Sequence, residues 1–382
     1  MNYRPDLVTR ITALAGRAIM AQPLPLLRLI GRPPRNRDGA RLDADAAVSL
    51  QLLKVVGGGG IADLSVEESR KELEHSAYLA SGPLPDIAMQ DEVIADVLVR
   101  RYGTWDAGDA PVVMFLHGGG WVQGSLNSHD APCAYLAKAT GVQVVSVDYR
   151  LAPEHVFPAG LDDAMAVYRG LLEEGPGRKV VVMGDSAGGN MTAALCLRAR
   201  DEGLPQPVLQ GLLVPATNLV PQFRLNERTA SNLEFAEGYF LTADEMITYA
   251  ELYLGPGDDA EVNAERAAHP WVSPLLADDH SGLAPAYLAV GGFDPLRDEG
   301  LAYGEKLREA GVPVALRRHD GMVHPFINSP GRWRSSPRAL DDLAGGELEV
   351  PGPAAQAPGP VARSATGSPA PSPGACRGPR AT

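Results

Sequence analysis

The feature that most constrains the fold is a serine between two glycines, at the junction of a strand-like run and a helix-like run. The pattern Gly-x-Ser-x-Gly occupies residues 184–188, with Ser186 at its centre. Residues 179–182 are rich in β-branched side chains, and residues 191–197 read as a helix. A strand, a sharp turn and a helix form the context that exposes such a serine. Because a hydroxyl is a weak nucleophile near neutral pH, Ser186 would need a base, an orienting acid and an oxyanion site.

An earlier glycine run is the candidate oxyanion site. Residues 117–121 read His-Gly-Gly-Gly-Trp and directly follow the apolar run 112–116. Consecutive glycines after a strand let backbone N–H groups turn toward a ligand. We expect Gly118 to shape the turn and His117 to hold the loop by hydrogen bonds. The predicted oxyanion donors are the backbone N–H groups of Gly119, Gly120 and Ala187.

An acid and histidines follow two later strand-like runs. Residues 287–293 read as a strand, and Asp294 stands at its end. Residues 314–318 read as another strand. The loop predicted after this second strand holds His319, Asp320 and His324. The resulting order of serine, acid and histidine is the order found in α/β-hydrolases.

Five blocks of this sequence together resemble the hormone-sensitive-lipase-like family of α/β-hydrolases, the bacterial carboxylesterases. A lone Gly-x-Ser-x-Gly match carries little information, but five blocks in the family's order, each at a strand end, are a strong signal. The blocks are residues 117–121, 148–155, 184–189 and 294–299, and His324. The resemblance implies a serine esterase with a catalytic triad and no organic cofactor or metal.

Rival residues exist for the base. His319 directly follows a predicted strand, whereas His324 lies in the loop, where a catalytic histidine of this family belongs. The family pattern has Gly-Phe after the histidine, and this chain has Pro325 in place of that glycine. His155 belongs to a motif that we expect to brace the sheet. We therefore expect His324 to be the base and keep His319 as its rival.

Rival residues exist for the acid as well. Asp298 is expected to begin the next helix, where an acidic side chain favours the helix N-terminus. Asp320 is a turn-forming residue. Asp294 stands at a strand end, so we expect it to orient the imidazole.

Strand-like and helix-like runs alternate through most of the chain, which predicts an α/β fold: a mostly parallel central sheet with helices on both faces. The predicted strands are 111–116, 142–148, 179–183, 208–214, 285–291 and 313–318, with a strand-like stretch at 93–101 before them. The predicted helices include 43–56, 65–79, 129–139, 160–173, 188–202 and 298–310. Ser65 and Glu68 form the pattern of a capping box at the start of the second helix.

Three regions follow from this organisation. Residues 1–90 are predicted to hold an N-terminal leader and helices, and residues 91–350 the catalytic domain. The family resemblance implies a helical cap built from the N-terminal helices and an insertion at about 217–269. Residues 351–382 are rich in proline, alanine and glycine. Such a segment buries too little apolar surface to offset its ordering entropy, so we expect a disordered tail.

Composition excludes several classes of partner. The formal net charge of −13 argues against nucleic acid as a partner. Three cysteines make no disulfide framework and no zinc-type spacing, which favours the cytoplasm. Arginines and prolines interrupt the apolar stretch 11–31, so we predict neither a membrane span nor a signal peptide. Membrane contact is not expected, but an amphipathic helix here that touches lipid or the mouth of the active site stays open as an alternative. The oligomeric state, including a homodimer, stays open.

The sequence thus predicts a serine carboxylesterase that hydrolyses short- to medium-chain carboxylic esters through an acyl-enzyme intermediate. Ser186 would attack the ester, His324 would act as general base and acid, and Asp294 would orient His324. Two alternatives stay open on the same scaffold. One is an amidase, deacetylase or acyltransferase that uses the same triad, and the other is a non-catalytic ligand-binding receptor.

Overall fold

An eight-stranded sheet forms the centre of the protein. The computed structural model describes residues 5–56, 60–104, 111–175, 177–255 and 259–346, with the backbone alone at 55, 56 and 342–346. The strands are β1 (Met89–Ile94), β2 (Val97–Tyr102), β3 (Val112–Leu116), β4 (Val144–Val147), β5 (Val180–Asp185), β6 (Leu209–Leu213), β7 (Ala286–Phe293) and β8 (Val314–Val323). Their order is β1-β2-β4-β3-β5-β6-β7-β8, and only the β1–β2 and β2–β4 pairs are antiparallel.

Helices precede, connect and follow the strands. They are α1 (Leu7–Met20), α2 (Leu24–Gly31), α3 (Ala44–Val56), α4 (Val66–Ser81), α5 (Asp130–Thr140), α6 (Ala159–Glu173), α7 (Ala187–Asp201), α8 (Ala230–Glu234), α9 (Ala243–Leu254), α10 (Ala260–Ala267), α11 (Arg297–Glu309) and α12 (Ser335–Gly346). The capping box of Ser65 and Glu68 is present at the start of α4, as the sequence predicts. No helix in the described part of the chain is long and apolar enough to span a membrane.

The central strands are buried on both faces, which accounts for their unbroken apolar runs. Every residue of β3 and of β5 is buried. Alternate side chains of β3 enter two separate cores. Val112 and Met114 share a core with residues of α6 and α7, whereas Val113 and Phe115 share a core with residues of α3, α5 and α12. The helices therefore cover both faces of the sheet, as predicted.

The strand-like stretch 93–101 is not one strand but part of a hairpin. β1 and β2 pair antiparallel, and the turn between them is made by Ala95 and Asp96. Both turn residues have positive φ, 49° and 66°, as a two-residue hairpin turn with matching twist requires. Neither residue is glycine or asparagine, so the sequence carries no strong signal for this turn.

The last strand is longer than predicted. β8 continues to Val323 and stays paired with β7, with a register shift between Gly291 and Phe293. His319 and Asp320 therefore lie inside the strand, and the expectation of a loop at these positions is wrong. The extra pairing extends the strand by five residues beyond its predicted end at 318. The predicted tail, residues 351–382, lies outside the described residues.

Parallel strands bring four separate parts of the sequence to one edge of the sheet. The carboxyl ends of β3, β5, β7 and β8 lie on that edge, because neighbouring parallel strands end on the same side. The glycine run, Ser186, Asp294 and His324 follow these ends. This edge is where the candidate site is formed.

Candidate active site

The turn between β5 and α7 holds Ser186 in a backbone conformation that few side chains adopt. Its φ is 54° and its ψ is −117°, and its N–H donates to the Leu213 carbonyl oxygen at 2.8 Å. Gly188, one residue into α7, lies so close to the Leu116 carbonyl that a Cβ would overlap it. This close approach allows the helix to begin directly after the serine, which leaves the hydroxyl at the helix N-terminus.

A chain of short contacts joins Ser186, His324 and Asp294. Ser186 Oγ lies 2.8 Å from His324 Nε2, and His324 Nδ1 lies 3.0 Å from Asp294 Oδ2. Asp294 is fully buried, and its Oδ1 also accepts the N–H of Leu296 at 2.9 Å. Burial lowers the pKa of His324, but the charge and hydrogen bond of Asp294 outweigh burial, so the pKa lies above its usual value. The arrangement therefore favours an imidazole that can take up a proton.

The structure brings His324, and not its rival His319, to Ser186. The ring of His319 packs against Phe326, with ring centroids 4.9 Å apart. His155 is exposed and lies in the turn that follows β4. Pro325, which replaces the family's glycine, follows His324 without moving its ring out of reach of the serine.

The rival acids have other partners. Asp298 lies in the first turn of α11 and accepts the N–H of Ser231 at 2.8 Å. Asp320 forms an ion pair with Arg318 at 2.6 Å. Among the described residues, no three acidic, histidine or cysteine side chains converge in a way that could hold a metal ion. Asp294 is thus the acid that the fold places beside His324.

The glycine loop begins at the end of β3, next to the end of β5 that carries Ser186. Gly119 and Gly120 both have positive φ, 118° and 59°, which a glycine adopts at no steric cost. The Gly119 carbonyl accepts the N–H of Gln123 at 2.8 Å, while the N–H groups of both glycines have no acceptor among the described residues. The N–H of Ala187 lies in the first turn of α7, where a helix leaves its donors unpaired. The role of these three N–H groups as oxyanion donors stays a prediction from the sequence.

His117 lies beneath this loop and not at the reacting position. Its ring is fully buried and stacks on the Tyr149 ring at 4.2 Å. Its Nδ1 lies 2.8 Å from the Gly118 carbonyl oxygen, and the Tyr149 hydroxyl donates to the His117 carbonyl at 2.7 Å. Burial, with a smaller effect from His129, lowers the pKa of His117 to about 3. A neutral buried ring with these contacts supports the prediction that His117 holds the loop.

A small cavity opens beside Ser186. Its volume is about 40 Å³, roughly three water-sized spheres. The residues that line it are Gly120, Trp121, Ser186, Ala216, Asn218, Leu219, Gln222, Leu241, Met246, Tyr249, Leu296 and Glu299. Tyr249, on α9, donates its hydroxyl to Gln123 of the glycine loop. The insertion between β6 and β7 therefore forms one wall of the cavity.

Comparison with known proteins agrees with this geometry. Residues 113–328 match a family described as having the alpha/beta hydrolase fold. The chain belongs to this family. It is 40% identical to the carboxylic ester hydrolase LipN of Mycobacterium tuberculosis over 307 aligned residues. The alignment covers 76% of this chain and 78% of LipN. It is 33% identical to the ethyl acetate hydrolase of Pseudomonas putida, over 75% of this chain and 92% of the relative.

Solved structures give the same assignment. The crystal structure of a thermostable esterase from Pseudomonas putida matches with a TM-score of 0.72 at 30% identity, over 79% of this chain and 95% of that one. A hyperthermophilic esterase from Pyrobaculum calidifontis matches with a TM-score of 0.69 at 33% identity, over 78% of this chain and 94% of that one. The protein is a carboxylic ester hydrolase of the hormone-sensitive-lipase type. The sequence prediction of fold and reaction class is confirmed.

Asp185 occupies the first free position of the Gly-x-Ser-x-Gly motif, directly before Ser186. The sequence analysis did not single it out as a functional residue of this esterase. It is buried, and it accepts the Gly118 N–H at 2.9 Å and the Asn328 side-chain amide at 3.0 Å. His129 Nε2 lies 3.3 Å from its Oδ1. Burial raises the pKa of Asp185, but His129 and Asn328 outweigh burial and hold the pKa below its usual value. The Asp185 carboxylate thus connects the glycine loop to the segment that follows His324. The only sequence signal for this role is the position of Asp185 inside the serine motif.

Proposed function

We propose that this esterase hydrolyses short- to medium-chain carboxylic esters with Ser186 as nucleophile, His324 as general base and acid, and Asp294 as the orienting acid. The observation that carries the proposal is the contact chain from Ser186 Oγ to His324 and on to Asp294, at 2.8 and 3.0 Å. Distances of this size are what proton transfer and imidazole orientation need.

The reaction would proceed in two halves. Ser186 Oγ attacks the ester carbonyl carbon while His324 Nε2 takes the hydroxyl proton, and His324 then delivers that proton to the leaving alcohol. Water, deprotonated by the same imidazole, attacks the acyl-enzyme and releases the acid and the free serine. The buried Asp294 carboxylate keeps Nδ1 protonated and stabilises the imidazolium that forms twice per turnover.

The developing negative charge would be held by backbone donors. The N–H groups of Gly119, Gly120 and Ala187 are the candidates, because the two glycine donors have no other acceptor among the described residues. Fixed backbone dipoles of this kind need no reorganisation when charge appears on the carbonyl oxygen. Asp185 would hold the glycine loop in place through Gly118.

We also propose that the N-terminal helices and the insertion at about 217–269 act as a cap over the site. The contact of Tyr249 with the glycine loop and the place of Met246 on the cavity wall support this, since both residues lie on α9 within the insertion. A small cavity under such a cap favours the short end of the acyl range. We further propose a cytoplasmic location, which is supported by the free, buried cysteines Cys133 and Cys196 because a reducing compartment keeps thiols free.

The experiment combines a substrate series with labelling of the nucleophile. Turnover of p-nitrophenyl esters from acetate to laurate should be highest for the short members. A serine-directed phosphonate should abolish turnover and label the peptide that contains Ser186, and Ser186→Ala should lower kcat by about 10⁴-fold or more. Labelling of another residue, or near-normal turnover by a folded Ser186→Ala variant, would disprove the proposal.

A further inference from the structure

The cavity beside Ser186 has two buried polar side chains on an otherwise largely apolar wall. Glu299 in α11 is 1% exposed, and Gln222 is 6% exposed. Glu299 Oε2, Gln222 Oε1 and the indole nitrogen of Trp121, another residue of the cavity wall, have no hydrogen-bond partner among the described residues. Since nearly all buried polar atoms in folded proteins are paired, two unpaired oxygens on side chains that line one cavity need an explanation.

The two oxygens of Glu299 have different surroundings. Oε1 accepts the backbone N–H groups of Thr217 at 2.7 Å and of Asn218 at 3.2 Å. Burial raises the pKa of Glu299 to about 8, against the lowering effect of these two hydrogen bonds and with added repulsion from Asp294 and Asp298. At neutral pH the carboxyl is therefore mostly protonated, and Oε2 can serve as a hydroxyl donor.

The reaction geometry assigns the cavity to the acid part of the ester. The leaving alcohol must lie within reach of His324 Nε2, which protonates it. His324 does not line the cavity, whereas Ser186 and Gly120 do. The acyl group, which stays bonded to Ser186 after the alcohol leaves, is thus the part that enters.

We propose that this cavity binds the acyl part of short hydroxy-acid esters, with Glu299 and Gln222 as the residues that recognise the hydroxyl. A hydroxyl is both donor and acceptor, so it can accept from Glu299 and donate to Gln222 Oε1. An unsubstituted acyl group would leave Glu299 Oε2 and Gln222 Oε1 without partners. Sites of this kind discriminate strongly against the analogue that lacks the hydroxyl. The inference rests on the proposed function, since it uses Ser186 and His324 to orient the substrate.

The first experiment compares matched substrates with the full-length protein at pH 7. Ester hydrolysis is followed by alkali uptake for the ethyl esters of butyric, 2-hydroxybutyric and 3-hydroxybutyric acid, and for 2-hydroxyethyl butyrate. At least one hydroxy-acid ester should exceed ethyl butyrate in kcat/KM by about tenfold or more. The ester with its hydroxyl on the alcohol should show no such gain. Equal or lower values for both hydroxy-acid esters would overturn the inference.

Variants then test whether the two side chains cause the preference. In Glu299→Leu and in Gln222→Leu, the ratio of kcat/KM between hydroxy and unsubstituted ester should fall by about tenfold. Glu299→Gln keeps an oxygen for the backbone N–H groups and a donor for the substrate, so it should keep most of the ratio. Glu305→Gln, an exposed position on the same helix, is the matched control and should keep the wild-type ratio.

The outcomes separate a structural role from recognition. If Glu299 only holds the backbone in place, Glu299→Leu lowers kcat/KM equally for the hydroxy-acid ester and for ethyl butyrate. The ratio of the two values then stays at its wild-type level, which would overturn the inference. Gln222→Leu gives the same test if Glu299→Leu fails to fold. Ethyl butyrate hydrolysis that depends on Ser186 but shows no hydroxyl preference would leave the proposed function standing and this inference wrong. Hydrolysis that survives Ser186→Ala would disprove the proposed function itself.

Discussion

At the scale of single residues, His324 meets two opposite demands. It must be neutral to accept the proton of Ser186 and charged before it protonates the leaving group. Burial alone would keep the ring neutral, and the carboxylate of Asp294 at 3.0 Å restores its basicity. The imidazole of His319, five residues earlier in β8, packs against Phe326.

The first prediction therefore uses His319 as an internal control. His324→Ala should lower kcat by several orders of magnitude, on the scale of about 10⁴-fold, because the His324 imidazole is the group in contact with Ser186 Oγ that can take its proton. His319→Ala should keep kcat within about tenfold, since its ring packs against Phe326 and not against the nucleophile. Steady-state kinetics on p-nitrophenyl butyrate, after circular dichroism has shown that both variants are folded, measures the difference. An inactive His319→Ala with an active His324→Ala would reverse the assignment.

At the scale of elements, the serine turn depends on how closely α7 approaches β3. The backbone of Gly188 meets the carbonyl of Leu116 with no space for a side-chain carbon between them. Backbone atoms on a central strand cannot move aside as the end of a flexible side chain can. A methyl group at residue 188 must therefore push the start of α7 away from the sheet, and Ser186 moves with it.

The second prediction follows from that contact. Gly188→Ala should lower the melting temperature by several degrees, in line with an overpacking cost of about 1–3 kcal/mol, and should also lower kcat. Gly175 is the matched control, because a Cβ there meets no described atom within 4 Å. Gly175→Ala should leave the melting temperature unchanged or slightly raised. Thermal unfolding followed by circular dichroism provides the comparison, and equal melting temperatures for the two variants would contradict the packing argument.

At the scale of the whole molecule, one buried carboxyl makes stability depend on pH. The pKa of Glu299 is raised from 4.5 to about 8 by burial, with Asp294 and Asp298 as the charged groups that face it. Between these two values the folded protein binds a proton that the unfolded chain does not. This contribution to stability is complete below pH 4.5 and is lost as pH rises through 8.

The third prediction removes this titration with Glu299→Gln. Between pH 5 and 8, the free energy of unfolding of the wild type should fall relative to that of the variant, because only the wild type has this proton to lose. Urea unfolding at several pH values measures both curves. Glu305→Gln, which changes an exposed carboxylate on the same helix, should follow the wild-type curve. Parallel curves for wild type and Glu299→Gln would show that Glu299 is not protonated in the folded state at neutral pH.

Local pattern alone determined much of this protein. The positions of the parallel strands could be read from apolar runs, although the end of β8 could not. The motif at 184–188 placed Ser186 at a turn because glycines are needed where a helix starts against a sheet. Asp294 followed from its place at the end of a strand. The order of these blocks was enough to predict the fold and the reaction class, both of which the comparisons confirm.

Tertiary structure decided what depends on contacts between distant parts of the chain. The pairing of β8 with β7 past Gly291 carries His319 into the strand and leaves His324 beyond its end, and no local signal marks this extension. Asp185 joins Gly118 to Asn328, and Glu299 shares a cavity with Gln222, only after the sheet has aligned their strands and helices. Periodicity reports which face of an element is buried, but the partner that a buried polar side chain meets is set by folding, because that partner lies far away in sequence.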